Sequence, residues 1–194
     1  MKIDILLSGV GGQGILSIAA VIGEAALKEN FFMKQSEVHG MSQRGGDVQS
    51  HLRISDQPVS SDLIPVGQAD LILSLEPMES LRYLPYLKKD GWLVTNSRPF
   101  INIPNYPEPE KIDEALAKLP NKVVIDVEAI AKEVGSIRVA NMVLLGAATP
   151  FLHIGYEKIA DGVRLVFGRK SDEIVALNLK ALHAGYALAT NYTN

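Results

Sequence analysis

The chain has 194 residues, 47% of them hydrophobic and 21% charged, with a net charge of −3 and a pI near 5.8; this suffices for one substantial core and predicts a single domain spanning 1–194. Slight acidity with scattered basic residues argues against nucleic acid as the main partner, because phosphate binding concentrates positive charge on one face. There is no cysteine, which excludes disulfides, cysteine nucleophiles, thiolate zinc sites and iron–sulfur clusters held by this sequence.

Residues 3–8 form a short apolar run ending at glycines, and residues 15–27 follow with small and aliphatic side chains, a strand–loop–helix opening. Asp4 and the glycines interrupt the apolar start, so it does not read as a signal peptide, and a cytoplasmic location is expected. A strand is predicted at 48–54, where Val48, Ser50, Leu52 and Ile54 alternate with Gln49, His51 and Arg53. Residues 69–75 predict a second apolar strand, after which Glu76-Pro77 suits a helix start and Leu81, Leu84 and Leu87 recur at spacing three. Further strands are expected at 91–95 and 122–127. Between them lie a proline-rich surface excursion at 99–109 and a helix near 112–118.

Beyond residue 127 the chain turns helical, at 129–134, 140–148, 156–167 and 172–188. In the last helix Ile174, Leu177, Ala181 and Leu188 are expected to share the buried face, with Ser171 as cap and Asp172 and Glu173 at the positive end. The apolar run at 139–155 contains Asn141, Pro150 and His153 and falls short of a membrane span. Alternating strands and helices predict an α/β fold with a mainly parallel sheet covered on both faces.

Two glycine-bearing segments carry the chemistry. Gly9-Val10-Gly11-Gly12-Gln13-Gly14 satisfies G-x-G-x-x-G between a strand and a helix, the context of a Rossmann-like dinucleotide fingerprint. It reads as a nicotinamide site, a retained anion or cofactor contact, or a structural turn. A nicotinamide site also calls for an acidic residue ending the second strand to hold the ribose. Here Glu37 instead runs into Val38-His39-Gly40-Met41-Ser42-Gln43-Arg44-Gly45-Gly46, which is rich in polar and glycine residues and suits a contact loop on a rigid scaffold. Arg44 can clamp a phosphate or carboxylate bidentately, or serve in an ion pair or interface. His39 is a candidate acid–base group, since an unperturbed histidine side chain has a pKa near 6.5, or an interface histidine. His51 and His183 fall on other elements, so no spaced metal cluster forms. Asn141 is either a helix cap or a ligand contact, and Asp126 with Glu128 is a carboxylate pair or a solvated strand end.

Taken in order, GVGGQG at 9–14, EVHGMSQRGG at 37–46 before VQSHLRI, ADLILSLEPMESLR at 69–82 and NMVLLGA at 141–147 resemble the gamma subunit, or gamma domain, family of the 2-oxoacid:ferredoxin oxidoreductases. Within it the likeness is greatest to the small beta subunit of indolepyruvate ferredoxin oxidoreductase; pyruvate, 2-oxoisovalerate and 2-oxoglutarate relatives share the domain. The resemblance implies a gamma-type catalytic domain over 1–194 that takes part in CoA-dependent oxidative decarboxylation of a 2-oxoacid to an acyl-CoA, with electrons passed to ferredoxin. Thiamine diphosphate, magnesium and iron–sulfur clusters are expected on a large alpha subunit, since this sequence has neither cysteines nor a G-D-G thiamine motif, and it is expected to be inactive alone. The resemblance further implies that Gly9, Gly11, Gly12, Gln13, Gly14, His39, Gly40, Gln43, Arg44, Gly45, Gly46 and Asn141 face cofactor, substrate or partner, with His39 and Arg44 the candidates for catalysis. The rivals are a stand-alone NAD-dependent oxidoreductase and a non-catalytic interaction module.

Overall fold

The computed structural model describes residues 1–39 and 45–192. Six strands form one sheet in the order β2-β3-β1-β4-β5-β6: β1 Lys2–Val10, β2 Phe32–His39, β3 Asp47–Ser55, β4 Ala69–Ser74, β5 Leu87–Asn96 and β6 Lys122–Ile125. Strands β1, β4, β5 and β6 run parallel, while β3 lies antiparallel between β1 and β2. Helices cover both faces, which is why β1 is buried along Ile3 to Val10 and its sequence is a continuous apolar run and not an alternating one.

On one face, α1 (Ile15–Lys28), α4 (Val127–Val134), α5 (Ala140–Ala148), α6 (Tyr156–Phe167) and α7 (Asp172–Ala189) bury Ile3, Ile5 and Leu7 with Ile18, Ile22, Val143 and Leu144. On the other, α2 (Pro77–Arg82) and α3 (Pro109–Ala117) join Leu6, Ile72 and Leu93 to Tyr83, Ile112 and Leu116. The α/β architecture and its single sheet follow the expectation from the sequence. Among the described residues no helix is long and apolar enough to cross a membrane.

Four local expectations are corrected. The helix after Pro77 ends at Arg82, a 3-10 turn spans Leu84–Tyr86, and Leu87 already opens β5; Pro85 lacks an amide and disfavours helical backbone at Leu84. Strand β6 stops at Ile125, because Asp126 leaves the ladder to accept from the Ala129 amide at 2.9 Å and cap α4. Strand β2 lacks an alternating apolar face and carried no sequence signal, yet it pairs with β3 along its whole length. The buried face of α7 is also rotated from the expected one: Asn178, Ala181, Leu182, Gly185 and Ala189 are buried, whereas Ile174 and Leu188 are 38% and 40% exposed. Ser171 does cap that helix.

Close approach of α5 and α7 explains the rotation. A Cβ on Gly185 would lie 1.9 Å from the Val143 carbonyl oxygen, and one on Gly146 would lie 2.0 Å from that of Leu182. The stripe with the smallest residues therefore faces α5, although another is more apolar. Gly146 and Gly185 are what allow the two backbones to come this close.

Strand β3 is buried on both faces, where alternation implied one. Arg53 donates to Asp4 through Nε (2.7 Å) and Nη2 (3.1 Å), and its Nη1 donates to the carbonyls of Ser61 (3.2 Å) and Leu63 (2.9 Å). His51 is 4% exposed and its Nδ1 accepts the Ile64 amide at 3.1 Å. Burial first, and Arg53 second, hold its pKa below the ordinary histidine value.

Two measurements test these packing claims. Gly185→Ala forces backbone apart and should lower unfolding stability by about 3 kcal/mol or more in urea titrations. A folded-state histidine pKa below the unfolded value near 6.5 means the unfolded chain binds the additional proton. Stability should then fall as pH drops from about 6.5 toward the depressed pKa, and His51→Gln should flatten that part of the curve.

Candidate functional site

The parallel strands β1, β4, β5 and β6 all end on one edge, where the chain passes from strand to helix and leaves amide groups unsatisfied by either element. Gly12 (φ 103°) and Gly14 (φ 90°) turn the chain from β1 into α1 through left-handed backbone. Gly14 has a second reason to lack a side chain: a Cβ there would lie 2.6 Å from Asn141 Nδ2. Gln13 holds the turn closed, its Oε1 accepting the Val10 amide at 2.7 Å and its Nε2 donating to the Leu75 carbonyl at 3.3 Å. Among the described residues no side chain caps α1.

The second glycine segment reaches this same turn. The Gly11 amide donates to the Gly46 carbonyl at 2.8 Å, and the Gly45 amide donates back to the Gly11 carbonyl at 3.2 Å. Of the sequence candidates, His39 closes β2 opposite Val48, while its imidazole lies outside the description; Gly40, Gln43 and Arg44 lie outside the described residues. Gly45 and Gly46 are placed at the rim beside Gly9, Gly11, Gly12, Gln13 and Gly14. The proline-rich excursion supplies a third wall, with Asn102 Nδ2 donating to the Gly45 carbonyl.

Between these walls and the start of α5 lies an open cleft of about 210 Å³. Gly12 and Gln13 border it on one side, Arg138 and Asn141 on another, and Phe100 and Glu128 at the mouth. Asn141 is 8% exposed. It is not the helix cap, which is Val139; its Nδ2 donates to the Gly14 carbonyl at 3.3 Å while its Oδ1 accepts the Met142 amide. Asp126 and Glu128 are not a carboxylate pair in function: Asp126 caps α4 and accepts from Arg98 Nε at 2.6 Å, whereas Glu128 lines the cleft. Burial alone would raise the Asp126 carboxyl, but the Ala129 amide and Arg98 outweigh it and hold it below its usual value.

Three residues that organise the cleft carried no functional reading in the sequence. Asn96 is 2% exposed and ends β5; its Nδ2 donates to the carbonyls of Leu75 (3.4 Å) and Arg98 (3.1 Å), and its Oδ1 accepts the Val127 amide (3.3 Å). One side chain thus fixes the ends of β4 and β5 and the first residue of α4. Glu76, fully buried, caps α2 through the Glu79 amide at 2.8 Å and also accepts the Phe100 amide and the Tyr106 hydroxyl. Burial, then the bond to Glu76, pushes the Tyr106 phenol far above its ordinary pKa, so it acts as a fixed donor. Arg138 is exposed on the 3-10 turn Ile137–Val139 and has no ion pair among the described residues. A polar residue ending an apolar strand was the available signal for Asn96.

The nicotinamide reading loses its structural basis at β3. In a dinucleotide fold the strand next to β1 is parallel and ends in the ribose-binding carboxylate. Here that position is held by an antiparallel strand whose first residues, not its last, reach the cleft edge. Among the described residues no group of three His, Cys, Asp or Glu side chains forms a metal cluster.

A family model described as pyruvate ferredoxin/flavodoxin oxidoreductase matches residues 4–188. Indolepyruvate oxidoreductase subunit IorB of Pyrococcus horikoshii is 39% identical, with 98% of each chain covered. The common gamma subunit of the pyruvate/ketoisovalerate oxidoreductases of Pyrococcus furiosus is 26% identical over 95% of each. The crystal structure of a keto/oxoacid ferredoxin oxidoreductase gamma subunit from Geobacter sulfurreducens superposes with a TM-score of 0.70 at 28% identity, covering 97% of this chain and 99% of that one.

Asn96→Ala removes a donor shared by two carbonyls and the acceptor of the Val127 amide. It should cost about 3 kcal/mol of unfolding free energy, measured by urea titration. Gln13→Ala should cost less, because Asn96 still serves the Leu75 carbonyl.

Proposed function

Since the chain belongs to the pyruvate ferredoxin/flavodoxin oxidoreductase family, we propose that it is the small subunit of an indolepyruvate-type 2-oxoacid:ferredoxin oxidoreductase, with its cleft turned to a large thiamine-bearing subunit. The observation that carries the aryl-pyruvate assignment is the near full-length identity of 39% to an indolepyruvate subunit, against 26% to a gamma subunit serving pyruvate and ketoisovalerate. The relatives are subunits of oxidoreductase complexes, and a sequence without cysteine can hold no iron–sulfur cluster of its own.

In the reaction, the bond between C1 and C2 of the 2-oxoacid breaks and carbon dioxide leaves. The acyl carbon joins the CoA sulfur, and two electrons pass one at a time to ferredoxin. Thiamine diphosphate with magnesium, held by the large subunit, would supply the electron sink for decarboxylation. The part left to this chain is to bind and orient an anionic reactant and to shield the joint site from water.

The cleft suits that part. Its amides stand at the start of α1, which no side chain among the described residues caps, and beside the first turn of α5, and amides at helix starts attract anions. Arg138 adds a guanidinium that no carboxylate among the described residues has claimed, and such a group binds phosphates or carboxylates bidentately. Gln43 and Arg44 precede Gly45 in the sequence, and their side-chain chemistry suits contact with an anionic reactant or with the partner. The exposed Phe100, Ile101 and Ile137 give the mouth an apolar border, as expected of a surface that another chain covers.

Reconstitution with the large subunit tests the assignment. Arg138→Ala should raise the KM for CoA about 10- to 100-fold while kcat changes little, and Arg138→Lys should recover part of the loss. Arg44→Ala should weaken either CoA binding or subunit assembly. Unchanged kinetics together with unchanged assembly in both alanine variants would reduce the chain to a passive scaffold.

A further inference from the structure

The sheet face beneath α2 carries polar side chains that neither the cleft nor the apolar core accounts for. Strand register sets Ser8 opposite Gln49 and Val10 opposite Asp47, and directly opposed residues share a face with their Cβ atoms about 5 Å apart. Two observations show that this face turns toward α2. Leu6, two positions before Ser8, belongs to the buried cluster that contains Tyr83. The Tyr83 hydroxyl also donates to Asp47 Oδ2 at 2.7 Å.

Three oxygens on this face, Ser8 Oγ, Gln49 Oε1 and Asp47 Oδ1, are buried and have no hydrogen-bond partner among the described residues. Ser8 is 0% exposed as a whole residue. A buried polar atom without a partner costs free energy, so a row of three in one place needs a physical account. Their charge balance narrows the choice. Glu79, on the facing side of α2, is matched by Arg82, whose Nε and Nη2 donate to its two oxygens at 2.7 and 3.3 Å. Asp47 receives the neutral Tyr83 hydroxyl and lies beside Glu79, whose pKa is raised first by burial and then by Asp47, so the two carboxyl groups share the single guanidinium of Arg82.

We propose that Ser8 Oγ, Gln49 Oε1 and Asp47 Oδ1 bind a monovalent alkali cation beneath α2. The donor set consists of hard oxygens alone, which suits alkali and alkaline-earth ions and disfavours metals that prefer nitrogen or sulfur. One carboxylate with two neutral oxygens balances a single positive charge. Calcium sites gather six to eight oxygens with several carboxylates among them, and magnesium demands an octahedral shell kept largely as water. Position gives the ion a structural consequence. Ser8 precedes Gly9 and Asp47 follows Gly46, so an ion held between them ties together the bases of the two glycine segments that frame the cleft.

Thermal unfolding of the full chain in KCl, in NaCl and in choline chloride at equal concentration tests the site. An alkali cation at about tenfold its Kd should raise Tm by roughly 3 to 6 °C over choline, in a saturable manner. Asp47→Asn and, separately, the milder Ser8→Ala should each abolish that increment while still unfolding cooperatively in choline chloride. Equal Tm values in the three salts would overturn the proposal and leave an ordered water as the bridge. An increment that persists in Ser8→Ala would overturn it too, by locating the ion elsewhere.

Discussion

Two backbone hydrogen bonds between Gly11 and the Gly45–Gly46 turn exist only because β3 runs antiparallel beside β1, and much of the cleft follows from that direction. A parallel neighbour would have delivered the end of its strand to this edge and placed the preceding loop at the far end of the sheet. The reversed strand brings its beginning to the cleft instead, together with Gly45 and Gly46 that precede it. A glycine loop suited by its pattern to a dinucleotide is thereby bonded to a second glycine segment, and its Gly11 amide and carbonyl are both spent on protein. What stays open to a ligand is the far side of the turn, where Gly12, Arg138 and Asn141 meet.

Around that edge, side-chain amides do the joining. Gln13 and Asn96 converge on the Leu75 carbonyl, Asn96 reaches the first amide of α4, and Asn141 reaches the Gly14 carbonyl. These contacts are neutral, so the rim is assembled without adding charge, and the exposed Arg138 and half-buried Glu128 set its local electrostatics. Buried carboxylates stand just behind it: Glu76 organises the excursion through Phe100 and Tyr106. The wall that carries Phe100 is therefore anchored from within.

The parts of this architecture visible in the sequence were those governed by one segment's own chemistry. Helices α5 and α6 have the expected bounds, α6 because its buried residues Ile159, Ala160, Val163 and Phe167 recur with helical spacing and α5 because its run is apolar almost throughout. Strands β1 and β4 announce themselves by apolar content that only a sheet covered on both faces can use. By contrast β2 is a strand because β3 pairs with it, and its residues Phe32 to His39 show neither alternation nor a continuous apolar run. Likewise the polar face of β3 reads as solvent-facing until Asp4 and the carbonyls of the 56–66 segment are known to receive Arg53. The glycine loop and Asn141 were legible as candidates, yet the contact between them spans 127 positions, and Asn96 and Glu76 gain their roles only from partners far along the chain.

The glycines between α5 and α7 reach further than the packing of two helices. Asn141 and Gly146 lie on the same helix, five residues or about 7.5 Å apart along its axis. The depth at which α5 beds against α7, set where Gly146 meets Leu182 and Gly185 meets Val143, is also the depth at which the Asn141 amide meets the cleft. Helix α5 thus presents Asn141 at a height that the two glycines fix. A larger residue at either glycine would lift α5 and shift the Asn141 amide relative to Gly14, altering the cleft from behind.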